Sequence, residues 1–173
     1  IQHVDNAKTN ISKIISVVAG LKNGTTNLFY LDKKQESCGV YQAVLTQIKH
    51  LKKAENIMKW QQTEKLFDCS DKHIKDIDYH VSKNMIYYTA QPQNLWPNQI
   101  YAFNVAAKKH SFVTQPEPEG WGHHSIDISP DGNKLLIMST NSDYKTQLLV
   151  LNLLNNEITE GVKFDYPVTE AIW

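Results

Sequence analysis

The block Ser125-Ile126-Asp127-Ile128-Ser129-Pro130-Asp131-Gly132-Asn133-Lys134-Leu135-Leu136-Ile137-Met138 reads as strand, tight turn, strand, and its plan occurs twice. Ile77-Asp78-Tyr79-His80-Val81-Ser82-Lys83-Asn84-Met85-Ile86-Tyr87-Tyr88 repeats it 49 residues earlier. The turn is local chemistry. Pro130 sets φ near −65°, Asp131 hydrogen-bonds its own backbone, and Gly132 takes a positive φ without steric cost. These three are structural turn residues rather than a site. Ile126 and Ile128 alternate onto one face, and Leu135 to Ile137 read as a buried central strand.

Each copy continues in the same way. Gln99-Ile100-Tyr101-Ala102-Phe103-Asn104 is matched 48 residues later by Gln147-Leu148-Leu149-Val150-Leu151-Asn152, and a last strand follows each, at His110 to Thr114 and Glu157 to Val162. Four short strands per unit, at a period near 50, predict an all-β fold, a partial β-propeller of about three four-stranded blades. The units span about 14–68, 74–115 and 123–162 of a single domain, 1–173. A further unit opens at 168–173, where Ala171 and Trp173 match Ile126 and Ile128 at a spacing of 45. The first copy is the weakest. Asn27 to Leu31 and Gly39 to Ala43 resemble the later strands at offsets of about 58 to 60, and the spacing of Leu45, Ile48 and Leu51 also fits a short helix near 44–54.

Composition narrows the function classes. Eighteen basic and eighteen acidic residues leave no net charge, which argues against a clustered basic face for phosphate backbones. The longest apolar run, Ile14 to Leu21, is too short to span a bilayer. The chain starts at Ile1 rather than Met. The expected arrangement is an excised domain whose membrane anchor lies outside the given sequence. Asn10-Ile11-Ser12 and Asn23-Gly24-Thr25 match the glycosylation pattern, which recurs often by chance.

The two cysteines, Cys38 and Cys69, fit a disulfide of an oxidising compartment. Cys38 begins the third strand of the first unit and Cys69 follows its last strand. Antiparallel pairing sets those two ends side by side. Neither cysteine belongs to a CxxC motif, so redox or zinc chemistry is not expected.

The densest group of functional residue types is Glu117, Glu119, Trp121, His123, His124 and Asp127. Adjacent histidines on a strand point to opposite faces, so His123 and His124 do not share one metal. Trp121, His123 and His124, with Trp96 in the Pro-rich loop, are candidates for binding a ligand or partner. The plainer reading has a histidine bonding a loop carbonyl and Trp121 covering a blade edge. Asp78 and Asp127 are equivalent in the two copies, and repetition argues for a structural task such as holding a neighbouring turn. Asp76 reads as a solvated edge residue. The chain holds no G-x-S-x-G or nucleotide loop. No catalytic residue, metal site or cofactor is expected.

Leu66 to Trp173, through Ile126-Asp127-Ile128-Ser129-Pro130-Asp131-Gly132-Asn133-Lys134-Leu135-Leu136 and Gln147-Leu148-Leu149-Val150-Leu151-Asn152, resembles TolB-like propeller repeats. More narrowly, Ile74 to Tyr88, Gly120-Trp121-Gly122-His123-His124 and Glu170-Ala171-Ile172-Trp173 resemble the periplasmic part of CadC/ToxR-like membrane-anchored winged-helix transcription regulators. That resemblance implies a periplasmic sensor or interaction domain of an inner-membrane protein. It would bind a small-molecule signal or protein partner, with no direct nucleic-acid contact and no catalysis. The alternative is the propeller part of a serine hydrolase or peptidase whose catalytic domain lies outside the chain.

Overall fold

The computed structural model describes residues 14–22, 25–33, 38–49, 56–69, 73–92, 97–114 and 120–173. Twelve strands form three antiparallel sheets of four, each a simple meander in chain order. Blade 1 holds β1 (Ile14–Lys22), β2 (Thr25–Lys33), β3 (Cys38–Lys49) and β4 (Asn56–Asp68). Blade 2 holds β5 (His73–His80), β6 (Met85–Gln91), β7 (Gln99–Asn104) and β8 (Lys109–Thr114). Blade 3 holds β9 (Gly122–Ile128), β10 (Lys134–Thr140), β11 (Thr146–Asn152) and β12 (Ile158–Phe164). The first strands neighbour one another, β1 against β5 and β5 against β9. Outermost β8 and β12 are largely exposed. Successive meanders with their first strands inside make a partial β-propeller.

Two cores lie between the blades, and the middle blade serves both. Side chains alternate across a strand, so Ile86 and Tyr88 of β6 join Phe29, Leu31, Ile77 and Tyr79 against blade 1. Tyr87, between them, joins Ile100, Ile126, Leu135 and Ile137 against blade 3. This two-sided burial is why Met85 to Tyr88 forms an unbroken apolar run. Aromatic rings fasten blade 1 to blade 2: Phe29 lies 4.1 Å from Tyr79, and Phe67 lies 4.7 Å from Phe103. The Cys38–Cys69 disulfide borders the same core, joining the start of β3 to the residue after β4.

The helix expected near 44–54 is absent as far as residue 49, where β3 runs on between β2 and β4. The threefold spacing of Leu45 and Ile48 is outweighed by backbone pairing on both sides. Residues 50–55 lie outside the described set, as do Asn10, Asn23, Trp96, Glu117 and Glu119. Residues 165–173 form no strand, although the sequence places the first strand of a further unit at 168–173. A strand needs a ladder partner, and among the described residues no strand pairs with them. Trp173 nevertheless takes a position that repeats that of Ile128, as the hydrogen bonds below show.

The Pro130-Asp131-Gly132 turn forms as its residues dictate. Gly132 has φ of 73°, and the Asp131 carboxylate accepts from Ser129 Oγ at 2.6 Å and from the Asn133 amide at 3.0 Å. With a third bond from Asn133 Nδ2 at 3.0 Å, these bonds hold the Asp131 pKa down to about 2. The turn also docks on blade 2, because His80 Nε2 lies 2.7 Å from the Gly132 carbonyl oxygen.

Candidate functional site

Each first strand carries one extra residue near its start. In β5 the register passes from Ile74↔Ala90 to Asp76↔Thr89, leaving Lys75 unpaired in the ladder. In β9 it passes from His123↔Ser139 to Ser125↔Met138, leaving His124. In β1 the extra residue is Ile15. Lys75 and His124 are 49 residues apart, the spacing of the repeat. The bulge is therefore a repeated element of the fold, and bulges re-aim side chains that regular alternation would place elsewhere.

Both re-aimed side chains line one groove of about 620 Å³ between blades 2 and 3. Lys75 and Gln91 border it from blade 2, Trp121 and His124 from blade 3, and Pro167 to Thr169 from the C-terminal segment. Thr169 lies 45 residues after His124, the spacing at which Ala171 and Trp173 match Ile126 and Ile128. Corresponding positions of three successive units thus meet at this groove.

Trp121 is held by its flanking glycines. Gly122 has φ of 76°, and a Cβ there would meet the Asn98 carbonyl oxygen at 2.5 Å. That closeness lets Asn98 N donate to the Trp121 carbonyl and His123 N donate to the Asn98 carbonyl, each at 3.0 Å. Gly120, with φ of 115°, lies equally close to the Asn141 backbone. The Trp121 ring meets Tyr144 edge-on at 5.2 Å, and both are 54% exposed.

His124 links the groove wall to blade 3. Its Nε2 lies 2.9 Å from Thr140 Oγ1, Thr140 Oγ1 lies 2.9 Å from Thr146 Oγ1, and Val168 N donates to Thr146 Oγ1 at 2.9 Å. The ring is also hydrogen-bonded to the Thr169 backbone. Burial lowers the His124 pKa, opposed in part by the Thr169 bond. A neutral ring that gives its one proton to Thr169 is left with Nε2 to accept from Thr140.

Of the residues singled out by sequence, Trp121 and His124 come together at the groove. His123 faces away and is buried, 1% exposed. Among the described residues no cluster of three or more His, Cys, Asp or Glu is placed to hold a metal ion. Lys75 is not among them, although aligning the copies at 49 residues sets it opposite His124. The repeated carboxylates hold strand backbone rather than a turn. Asp78 Oδ2 accepts from Ile128 N at 2.6 Å and Asp127 Oδ2 from Trp173 N at 2.8 Å. Asp76 is a third such residue and not a solvated edge, because its Oδ2 accepts from Ile126 N at 3.1 Å.

The fold is three blades of a partial β-propeller, with a groove beside the inner strands of blades 2 and 3. No family model matches the sequence, and no curated protein matches it. Among solved structures it is similar to TolB from Acinetobacter baumannii, with a TM-score of 0.49 and 10% identity over 86% of this chain and 43% of that one. It is also similar to a protein provisionally assigned as a 6-phosphogluconolactonase from Bacteroides uniformis, with a TM-score of 0.47 and 14% identity over 88% of this chain and 41% of that one. The chain spans about two-fifths of the length of either.

Proposed function

We propose that this chain is a non-catalytic recognition domain, the periplasmic sensing part of a membrane-anchored transcription regulator. It binds a small-molecule signal or a short partner segment in the groove between blades 2 and 3. The observation that carries this reading is the convergence of Lys75, His124 and Thr169, equivalent positions of successive units, beside the exposed Trp121. A pocket of a few hundred Å³ with an aromatic wall and a few polar groups suits a small ligand. The disulfide supports an oxidising compartment, and the Gly120 to His124 block supports the regulator assignment by resemblance.

A bound signal acts only through its preference for one conformational state. The 167–169 segment, fastened through His124 and Thr146, is the groove wall through which such a preference reaches the rest of the chain. A thermal-shift screen against periplasmic metabolites is expected to give ligands that raise the melting temperature with rising concentration and lose that effect in Trp121→Ala. In the intact protein the same substitution is expected to change transcriptional output. Silence across the screen, together with unaltered output, contradicts the reading.

A further inference from the structure

We propose that the groove takes a small amphipathic carboxylate, with its charge against Lys75 and its apolar body against Trp121. The inference rests on the reading of the groove as a binding site and adds the ligand's chemistry.

Charge comes first. Among the described residues Lys75 forms no ion pair, and no carboxylate lines the groove. The nearest acid in sequence, Asp76, turns its carboxylate to the Ile126 and Ile77 amides. Burial keeps His124 neutral. Among the described lining residues the groove therefore presents one exposed ammonium beside neutral groups, the complement of a monoanion. A lysine acts as a point charge, and a phosphate dianion is better met by several converging donors.

Placement comes second. Lys75 is the bulged residue of β5, re-aimed in the way that recurs near functional sites. Its equivalent in β9 is already used, because His124 fastens the groove wall. Lys75 has no such structural task, which leaves its charge for a ligand.

Shape comes third. Trp121 stands between two glycines in close backbone contacts and against the Tyr144 edge. A large apolar surface held in place costs little ordering on binding.

The test is an amide and indole chemical-shift titration of the full isotope-labelled chain with phenylacetate, its neutral isostere phenylacetamide, and cationic phenethylamine. Phenylacetate is expected to bind saturably, shifting the Trp121 indole N–H and the His124 and Val168 amides. Its affinity is expected to exceed that of the amide by about two- to fivefold, the order of an exposed ion pair. Lys75→Met should erase the preference and Lys75→Arg preserve it. Trp121→Ala should weaken acid and amide alike. Equal binding of acid and amide, or a preference that survives Lys75→Met, overturns the carboxylate assignment while leaving a binding groove. Shifts confined to another face, or no saturable shift with any probe tighter than about 10 mM, overturn it as well. Silence in the metabolite screen too takes the binding reading with it.

Discussion

The Asp78 carboxylate reaches from the first strand of blade 2 to the Ile128 amide of blade 3, Oδ2 to N at 2.6 Å, while its Oδ1 accepts from Tyr79 N at 2.7 Å. Asp127 repeats the outer bond one blade on, with Trp173 N at 2.8 Å, and the Trp173 indole adds Nε1 to the Asp127 carbonyl oxygen at 2.8 Å. The clasp recurs at the 49-residue spacing, linking β5 to β9 and β9 to the C-terminal segment. Removing it in Asp78→Ala leaves two backbone N–H groups without acceptors, so the variant should lose on the order of 2–4 kcal/mol in denaturant unfolding. Asp78→Asn keeps one acceptor and should lose less.

The same clasp sets a pH dependence. Burial, opposed by the Ile128 and Tyr79 bonds and aided by nearby Asp127 and Asp76, pushes the Asp78 pKa up from 3.8 to about 6. Between those values the folded chain holds a proton that the unfolded chain releases. Asp78 therefore stabilises fully below about pH 4, and that contribution is lost as pH rises through about 6. The unfolding free energy of wild type relative to Asp78→Asn should fall between pH 4 and 7 by on the order of 2 kcal/mol. A flat difference contradicts the assigned burial.

His124 has the opposite sign. Its folded pKa lies below 6.5 through burial, so the folded chain binds fewer protons than the unfolded one just below that pH. Its contribution is complete above 6.5 and is lost as pH falls through the folded value. Protonation makes Nε2 a donor toward Thr140 and reverses the hydroxyl chain, so that Thr146 Oγ1 accepts from Thr140 as well as from Val168 N. The Val168 amide chemical shift should therefore move in step with His124 ring titration by NMR, as its acceptor changes from a donor to an acceptor toward Thr140. The pH dependence should vanish in His124→Gln.

Gly122 should tolerate no side chain. Its φ of 76° is strained for other residues, and a Cβ would lie 2.5 Å from the Asn98 carbonyl oxygen. Gly122→Ala should cost about 2–4 kcal/mol by thermal unfolding and disturb the Trp121 indole resonance.

Reduction of Cys38–Cys69, which are 31 residues apart, should lower stability by about 3 kcal/mol on the chain-entropy account. Unfolding with and without reductant checks this, and Cys38→Ser with Cys69→Ser should match the reduced protein.

What was legible in the sequence was local or periodic. Pro130, Asp131 and Gly132 carry their turn in their own dihedral preferences. The antiparallel meander put Cys38 beside Cys69 from strand order alone. The rest depended on the neighbouring blade. Asp76 looks like a solvated residue until the Ile126 amide arrives beside it, and His80 gives no sign that it receives the Gly132 carbonyl. A bulge has no side-chain signature, so Lys75 reads as an ordinary exposed strand residue. Only the 49-residue alignment with His124 exposes it. At Leu45 and Ile48 a spacing compatible with helix gave way to two flanking strands.

The proposed binding site is the groove that the repeated bulge builds between blades 2 and 3. Site-resolved chemical-shift mapping of any ligand from an unbiased metabolite screen tests it most directly. The account predicts saturable shifts clustered at Lys75, Gln91, Trp121, His124 and Val168. A ligand whose shifts map to another face, leaving those five residues unmoved, contradicts it.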